Sequence, residues 1–210
     1  MRPDSPYYLV CSLAPCIGIP RDLKYDSVPG TNGQTQNPVP GELTIEFNVE
    51  GRTVRKWPQV FRTTAYIIYA FVRPIADQVI EAGFTGVEFH PVRLNFGALG
   101  RLKGQEDLCP EYVWCRALGL LLVDVTFDNE PARVDPTGMY LLNPEDLRRR
   151  GSPKTRLREE QPYAADFCRV APRGAGDFVV SKRVAEFFDR IKIKGIDIVA
   201  NHDWLRGGVG

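Results

Sequence analysis

A strand-helix-strand pattern occurs twice in this chain, 109 residues apart, and no other feature narrows the available folds as much. The later copy lies in Asp177–Ala200, DFVVSKRVAEFFDRIKIKGIDIVA. Phe178-Val179-Val180 is a short apolar run, and Ser181 after it can cap a helix through its hydroxyl oxygen. Val184, Phe187, Phe188 and Ile191 then recur at i, i+3, i+4 and i+7, which places all four on one helical face. Lys192 and Lys194 suit the negative end of a helix dipole, Gly195 permits a left-handed exit, and Ile196, Ile198 and Val199 resume an extended run.

Laying Gly195 over Gly86 aligns residues 179–198 with residues 70–89 without a gap. Ile75 then matches Val184, Ala76 matches Ala185, Val79 matches Phe188, Phe84 matches Ile193, Val87 matches Ile196 and Phe89 matches Ile198. The acid in the closing strand is kept as Glu88 and Asp197. Pro74 suits the first turn of the earlier helix and Gly83 its exit. The expected fold is therefore α+β (mixed α/β), with two related strand-helix-strand units sharing a mostly antiparallel sheet, joined by long irregular loops, in a single domain over residues 1–210.

The remaining elements follow from local pattern. A strand is expected near Tyr7–Leu13. Val28–Gly41, VPGTNGQTQNPVPG, is dense in turn residues and reads as a mobile loop. Leu43, Ile45, Phe47 and Val49 alternate with Thr44, Glu46, Asn48 and Glu50, a strand with one buried face, and Arg52–Trp57 is its expected hairpin partner. Tyr66–Phe71 is apolar throughout and leads into the first copy. Leu118–Phe127 is a strand that starts buried and ends half exposed, closed by Asp128-Asn129-Glu130-Pro131. Met139–Leu142 suits a strand or a loop anchor, and Asn143 caps a short helix. Arg148–Glu160 is expected to be a surface loop, and residues 206–210 a disordered tail.

Charge is balanced, 27 Lys and Arg against 26 Asp and Glu, so no overall field draws the chain to nucleic acid or to an anionic membrane. The longest apolar-looking run, Tyr7–Pro20, is too short and too broken by proline to span a bilayer or to serve as a secretory signal. Five cysteines, an odd number, fit reduced thiols, and a cytoplasmic location is expected.

Chemistry-bearing motifs are sparse. His90 and His202 sit in no metal-ligand spacing and read as structural. Cys11 and Cys16 are spaced C-x4-C, Cys109 and Cys115 C-x5-C; together they are weak candidates for a zinc site, against the simpler reading of buried thiols. Cys168 reads as core. Asp124, Asp128 and Glu130 cluster after a strand, where carboxylates are usually just solvated. Nucleophile-elbow, P-loop and dinucleotide signatures are absent, so neither enzyme nor cofactor is expected. Arg148, Arg149 and Arg150 open an arginine-rich stretch that can grip phosphates, yet Glu159 and Glu160 follow directly and no aromatics interleave. A solvated loop, or a contact patch for an acidic protein, is the better match. Trp57 and Trp204 are further partner-binding candidates, with Trp114 divided between core and interface.

Two stretches carry a family resemblance. Ala165–Ile198, with Asp166-Phe167-Cys168-Arg169 near its start, resembles the C-terminal signature of bacterial immunity proteins related to the myxobacterial double-CxxCG-motif group. Residues 83–94, GFTGVEFHPVRL, resemble that family's mid-chain unit. The two cover about a third of the chain. The resemblance implies a non-enzymatic protein that binds and neutralises a cognate toxin by blocking its active surface. This chain departs from the family where its C-x4-C and C-x5-C pairs replace C-x2-C-G, so any zinc bound by the family pairs does not carry over directly, and Cys109 and Cys115 are the nearer counterparts. The alternatives are a zinc-binding or catalytic protein using Cys109, Cys115 and the nearby carboxylates, and a nucleic-acid binder acting through Arg148–Arg158.

Overall fold

The computed structural model describes residues 7–12, 18–21, 23–27, 36–47, 57–63, 68–95, 109–127, 130–131, 154–158, 160–171 and 178–200. These form a mixed α/β fold of two largely antiparallel sheets, a two-stranded ribbon and two helices. The strands are β1 (Tyr7–Ser12), β2 (Gly18–Arg21), β3 (Tyr25–Ser27), β4 (Gln36–Pro38), β5 (Leu43–Phe47), β6 (Val60–Arg62), β7 (Tyr69–Val72), β8 (Val87–Asn95), β9 (Tyr112–Ala117), β10 (Gly119–Phe127), β11 (Glu130–Pro131), β12 (Lys154–Leu157), β13 (Phe167–Ala171), β14 (Phe178–Ser181) and β15 (Ile196–Ala200). The helices are α1 (Arg73–Glu81) and α2 (Lys182–Arg190).

The first sheet runs β11-β10-β13-β14-β1-β15, with β12 also on β10; the second runs β2-β5-β8-β9-β7-β6. The strands flanking α1 thus lie in one sheet and those flanking α2 in the other, where the sequence suggested one shared sheet. Nor are the flanking strands neighbours. β9 separates β7 from β8, antiparallel to both, and β1 separates β14 from β15 in the same way. Hydrophobic pattern sets which face a strand buries, but it carries no information about a third strand inserted from elsewhere.

The offset of 109 recurs in the element boundaries. Tyr69 and Phe178 open the first strands, Arg73 and Lys182 the helices, Val87 and Ile196 the second strands. Both helices are nine residues long. Val72 and Ser181 are their N-caps, and the Ser181 hydroxyl accepts from Val184 N as expected. α1 buries Ile75, Ala76 and Val79; α2 buries Val184, Ala185, Phe187 and Phe188. The left-handed exit of α2 is at Lys192 (φ 54°) rather than Gly195, and its counterpart in α1 is Gly83 (φ 67°). Gly195 (φ 99°) serves a different need, as does Gly86 (φ 74°): each lets a turn press against a strand. A Cβ on Gly86 would fall 2.7 Å from Phe167 O, and one on Gly195 would collide with Val60 O.

Three apolar clusters follow from strand parity. The largest lies between the sheets, takes in both helices and includes Tyr69, Phe71, Phe167, Phe178 and Phe188. Alternate residues of the same strands, Ala70 and Trp114 in the second sheet and Val179 and Cys168 in the first, fill separate clusters on the outer faces. Both faces of these strands are therefore covered, which explains why Phe178–Val180 and Gly119–Leu121 read as unbroken apolar runs.

Several local expectations change. β5 buries Leu43 and Ile45 as its alternation requires, but its two neighbours are β2 and the parallel β8, not a hairpin return; Arg52–Lys56 lie outside the described residues. Within the expected loop 28–41, Gln36–Pro38 form β4 against β3. Within the expected loop 148–160, Lys154–Leu157 form β12, pairing with the half-exposed end of β10, which offers an open row of backbone groups. The Gln161 carboxamide extends this pairing, accepting from Leu122 N and donating to Leu122 O, both at 2.8 Å. Met139–Leu142, the helix capped by Asn143 and the 206–210 tail lie outside the described residues.

Candidate protein-binding corner

The turn Gly83–Gly86, which carries the chain from α1 into β8, is where three remote segments meet. Gly83 N donates to Ile80 O at 2.9 Å, closing the helix. Leu118 N donates to Gly86 O (2.8 Å), Phe167 N to Thr85 O (3.1 Å), and Leu120 N to Tyr163 O (2.9 Å). Ile80, Leu118 and Tyr163 are the exposed large apolar residues among those described, at 57%, 40% and 47% of their full accessible surface. All three are carried by backbone tied into this one corner.

Asp166 holds the corner together. Its Oδ2 accepts from Thr85 N (2.9 Å) and from the Thr85 hydroxyl (3.1 Å), and its Oδ1 accepts from the Ser181 hydroxyl (2.7 Å). Asp166 N donates in turn to Thr85 Oγ1. Burial alone would raise this carboxyl, but the donors from Thr85 and Ser181, with Arg183 3.8 Å away, outweigh it and hold the group below the usual carboxylate range. One side chain thus couples the start of β13, the cap of α2 and the exit of α1.

Arg183 lies across the rim. Its guanidinium sits 4.9 Å from the centre of the Phe84 ring and donates towards Gly83 O at 3.5 Å. Phe84 is half-buried and packs edge-to-face on Phe187 (5.1 Å) and Phe167 (6.3 Å). The segments that meet at the corner thus carry three exposed apolar side chains, Ile80, Leu118 and Tyr163, with Arg183 on α2 held over Phe84 in the turn. The alignment of the two copies carried the one sequence signal for it. It sets Ile80 against Asp189, and both are exposed, so burial in the core does not account for an isoleucine at that position.

The residues singled out from sequence do not converge. Cys115 is buried in the central cluster, whereas Cys109 packs against the outer cluster of the second sheet, on the other face of β9. Burial pushes the Cys109 thiol up to about 11 and the Cys115 thiol well above its ordinary range. Cys11 stands opposite Asp197 in the β1–β15 ladder, and Cys16 lies outside the described residues. Cys168 is buried, its thiol also raised to about 11 by burial, and donates to Ala165 O. Among the described residues no group of three or more His, Cys, Asp or Glu side chains is placed to hold a metal ion.

Trp57 is half-buried, edge-on to Tyr112 at 6.5 Å, and so contributes to the outer core. Trp114 is buried, and its indole N–H donates to Gly41 O at 2.9 Å. Arg148, Arg149, Arg150, Trp204 and His202 lie outside the described residues. Asp124 is paired with Arg158 at 2.8 Å on the exposed end of β10, while Asp128 lies outside the described residues. His90 is tilted over Trp114 (4.9 Å) and meets Glu88 at 3.2 Å. Glu88 also accepts from Arg116 (2.8 Å), whose hydrogen bond is the main cause of its lowered carboxyl pKa. Arg116 Nε reaches Pro38 O, so this cluster straps the β3–β4 ribbon to the sheet. No described helix is long and apolar enough to cross a membrane.

No protein-family model matches the chain, and no curated protein matches it.

Proposed function

We propose that this chain is a non-enzymatic binding protein that captures another protein through the corner around Gly83–Gly86, and that its partner is a cognate toxin whose active surface it covers. The observation that carries the binding reading is the exposure of Ile80, Leu118 and Tyr163 on backbone segments locked to one another by hydrogen bonds. A preorganised patch loses little conformational entropy on binding, and the fixed Arg183–Phe84 pair supplies charge beside the apolar anchors. What supports a toxin as the partner is the resemblance of residues 165–198 and 83–94 to immunity proteins. The two strand-helix-strand segments are read as related units that act as the rigid frame, leaving surface residues rather than a reaction centre to recognise the partner.

The test is co-expression with each adjacent reading frame, followed by pull-down and a growth-protection assay. A toxin that is silenced and co-purified supports the reading. Ile80→Asp should then abolish capture while leaving the thermal midpoint unchanged, because Asp189 already occupies the matching exposed position in α2. If no adjacent product binds or is silenced, the toxin assignment fails. If a partner binds and Ile80→Asp binds it equally well, the corner is the wrong surface.

A further inference from the structure

The two strand-helix-strand segments interlock reciprocally. Val72 N donates to Gln59 O, and Ser181 N donates to Asp166 O. The Gln59 side chain accepts from Lys194 N at 2.7 Å, in the turn after α2; the Asp166 side chain accepts from Thr85 N at 2.9 Å, in the turn after α1. Gly195 abuts Val60 O, and Gly86 abuts Phe167 O. Each turn therefore rests on the strand that pairs with the first strand of the other segment, β6 beside β7 and β13 beside β14. Where the two segments face each other, the matched residues Tyr69 and Phe178 stack at 4.9 Å. A contact between matched residues marks a twofold axis, since only there does a position meet its own counterpart.

Register extends the correspondence to a strand that the sequence alignment never included. Val72 is opposite Tyr112 and Ser181 is opposite Tyr7; Val87 is opposite Ala117 and Ile196 is opposite Ser12. Tyr7–Ser12 thus matches Tyr112–Ala117 residue for residue along both edges. The edge strands agree as well, with Val60 opposite Phe71 and Phe167 opposite Val180.

We infer that the core is an internal pseudo-dimer of two four-stranded units, β6-β7-β9-β8 and β13-β14-β1-β15, in which β1 is the counterpart of β9 and reaches its unit from the other end of the chain. β9 follows β8 directly in sequence, whereas β1 precedes everything it pairs with and clasps the second unit shut. The inference rests on hydrogen-bond register and is independent of the toxin-binding reading.

The register pair Tyr8 and Ala200 puts the start of β1 beside the end of β15, so the two can be joined without stretching the chain. A full-length circular permutant tests the inference: Gly210 joined to Met1, with a new opening between Gly100 and Arg101. This opening detaches β9 from β8 just as β1 is detached from β15 in the parent. The permutant should unfold cooperatively, with a parental circular dichroism spectrum and a midpoint within about 5 °C of the parent. In the parent, amides of Tyr8–Val10 should exchange within about tenfold of those of Val113–Cys115, because both strands are central to equivalent units. A permutant without a cooperative transition overturns the inference. So does exchange in β1 more than about a hundredfold faster than in β9.

Discussion

Substituting alanine at three glycines separates backbone strain from close approach. Gly83, Gly86 and Gly195 all have positive φ, at 67°, 74° and 99°, so a side chain at each meets the left-handed penalty of about 1–2 kcal/mol. Removing glycine also restricts the unfolded chain, which returns about 0.4–1 kcal/mol. At Gly83 no atom lies within 4 Å of the new Cβ, and the net loss should be about 0–1.6 kcal/mol. At Gly86 the Cβ falls 2.7 Å from Phe167 O and overlaps the Ala165 side chain. The carbonyl belongs to β13 and cannot swing away like a flexible side-chain tip, so overpacking of about 1–3 kcal/mol is added, for a total of about 1–5 kcal/mol. Gly195→Ala, pressed on Val60 O, should match Gly86→Ala within about 1 kcal/mol. Urea denaturation of the four proteins, with free energies taken at constant m, measures the differences. The reasoning is refuted if Gly86→Ala is no less stable than Gly83→Ala, because the turn would then not bear on β13.

Three further outcomes follow from the same geometry. Asp166→Asn should flatten the acid limb of stability: the native carboxyl is depressed, so its contribution is present above the unfolded pKa and is lost as pH falls through the folded one, and parallel losses in parent and variant between about pH 5 and pH 2 would exclude this. Lys192→Gly should stabilise by about 0.5–1 kcal/mol in the same urea assay, since a lysine at φ 54° carries strain that glycine does not, less the glycine's greater unfolded-state entropy; a net loss contradicts it. In a Cys11→Ser, Cys16→Ser background, Cys115 and Cys168 should resist a thiol reagent at about pH 8 until denaturant is added, whereas the half-buried Cys109 reacts slowly in the native state; rapid native labelling of Cys115 would contradict its placement.

What could be read in the chain was whatever depends on near neighbours. The stripe Val184, Phe187 and Phe188, the Ser181 cap and the apolar run Phe178–Val180 each arise within one or two turns of backbone, so their residues specify them directly. The corner was only half legible. Ile80 against Asp189 stood in the alignment, but Leu118 and Tyr163 reach the same place through hydrogen bonds that no local pattern announces. Cys109 and Cys115 looked close because they are close in sequence, but Cys109 precedes β9, in the segment that leads into it, and packs against the outer cluster, whereas Cys115 lies within β9 and faces the central one.

By itself, the amino-acid order determined two matched helices, the strands beside them and the faces each would bury, because side-chain period and capping act over a few residues. Only the tertiary structure decided that these strands divide between two sheets, that β9 and β1 insert between them, and that each turn rests on the strand beside the opposite segment, β6 or β13. Those choices depend on backbone hydrogen bonds between remote residues, and a backbone amide is chemically the same wherever it occurs, so nothing in its own neighbourhood records the partner it will find.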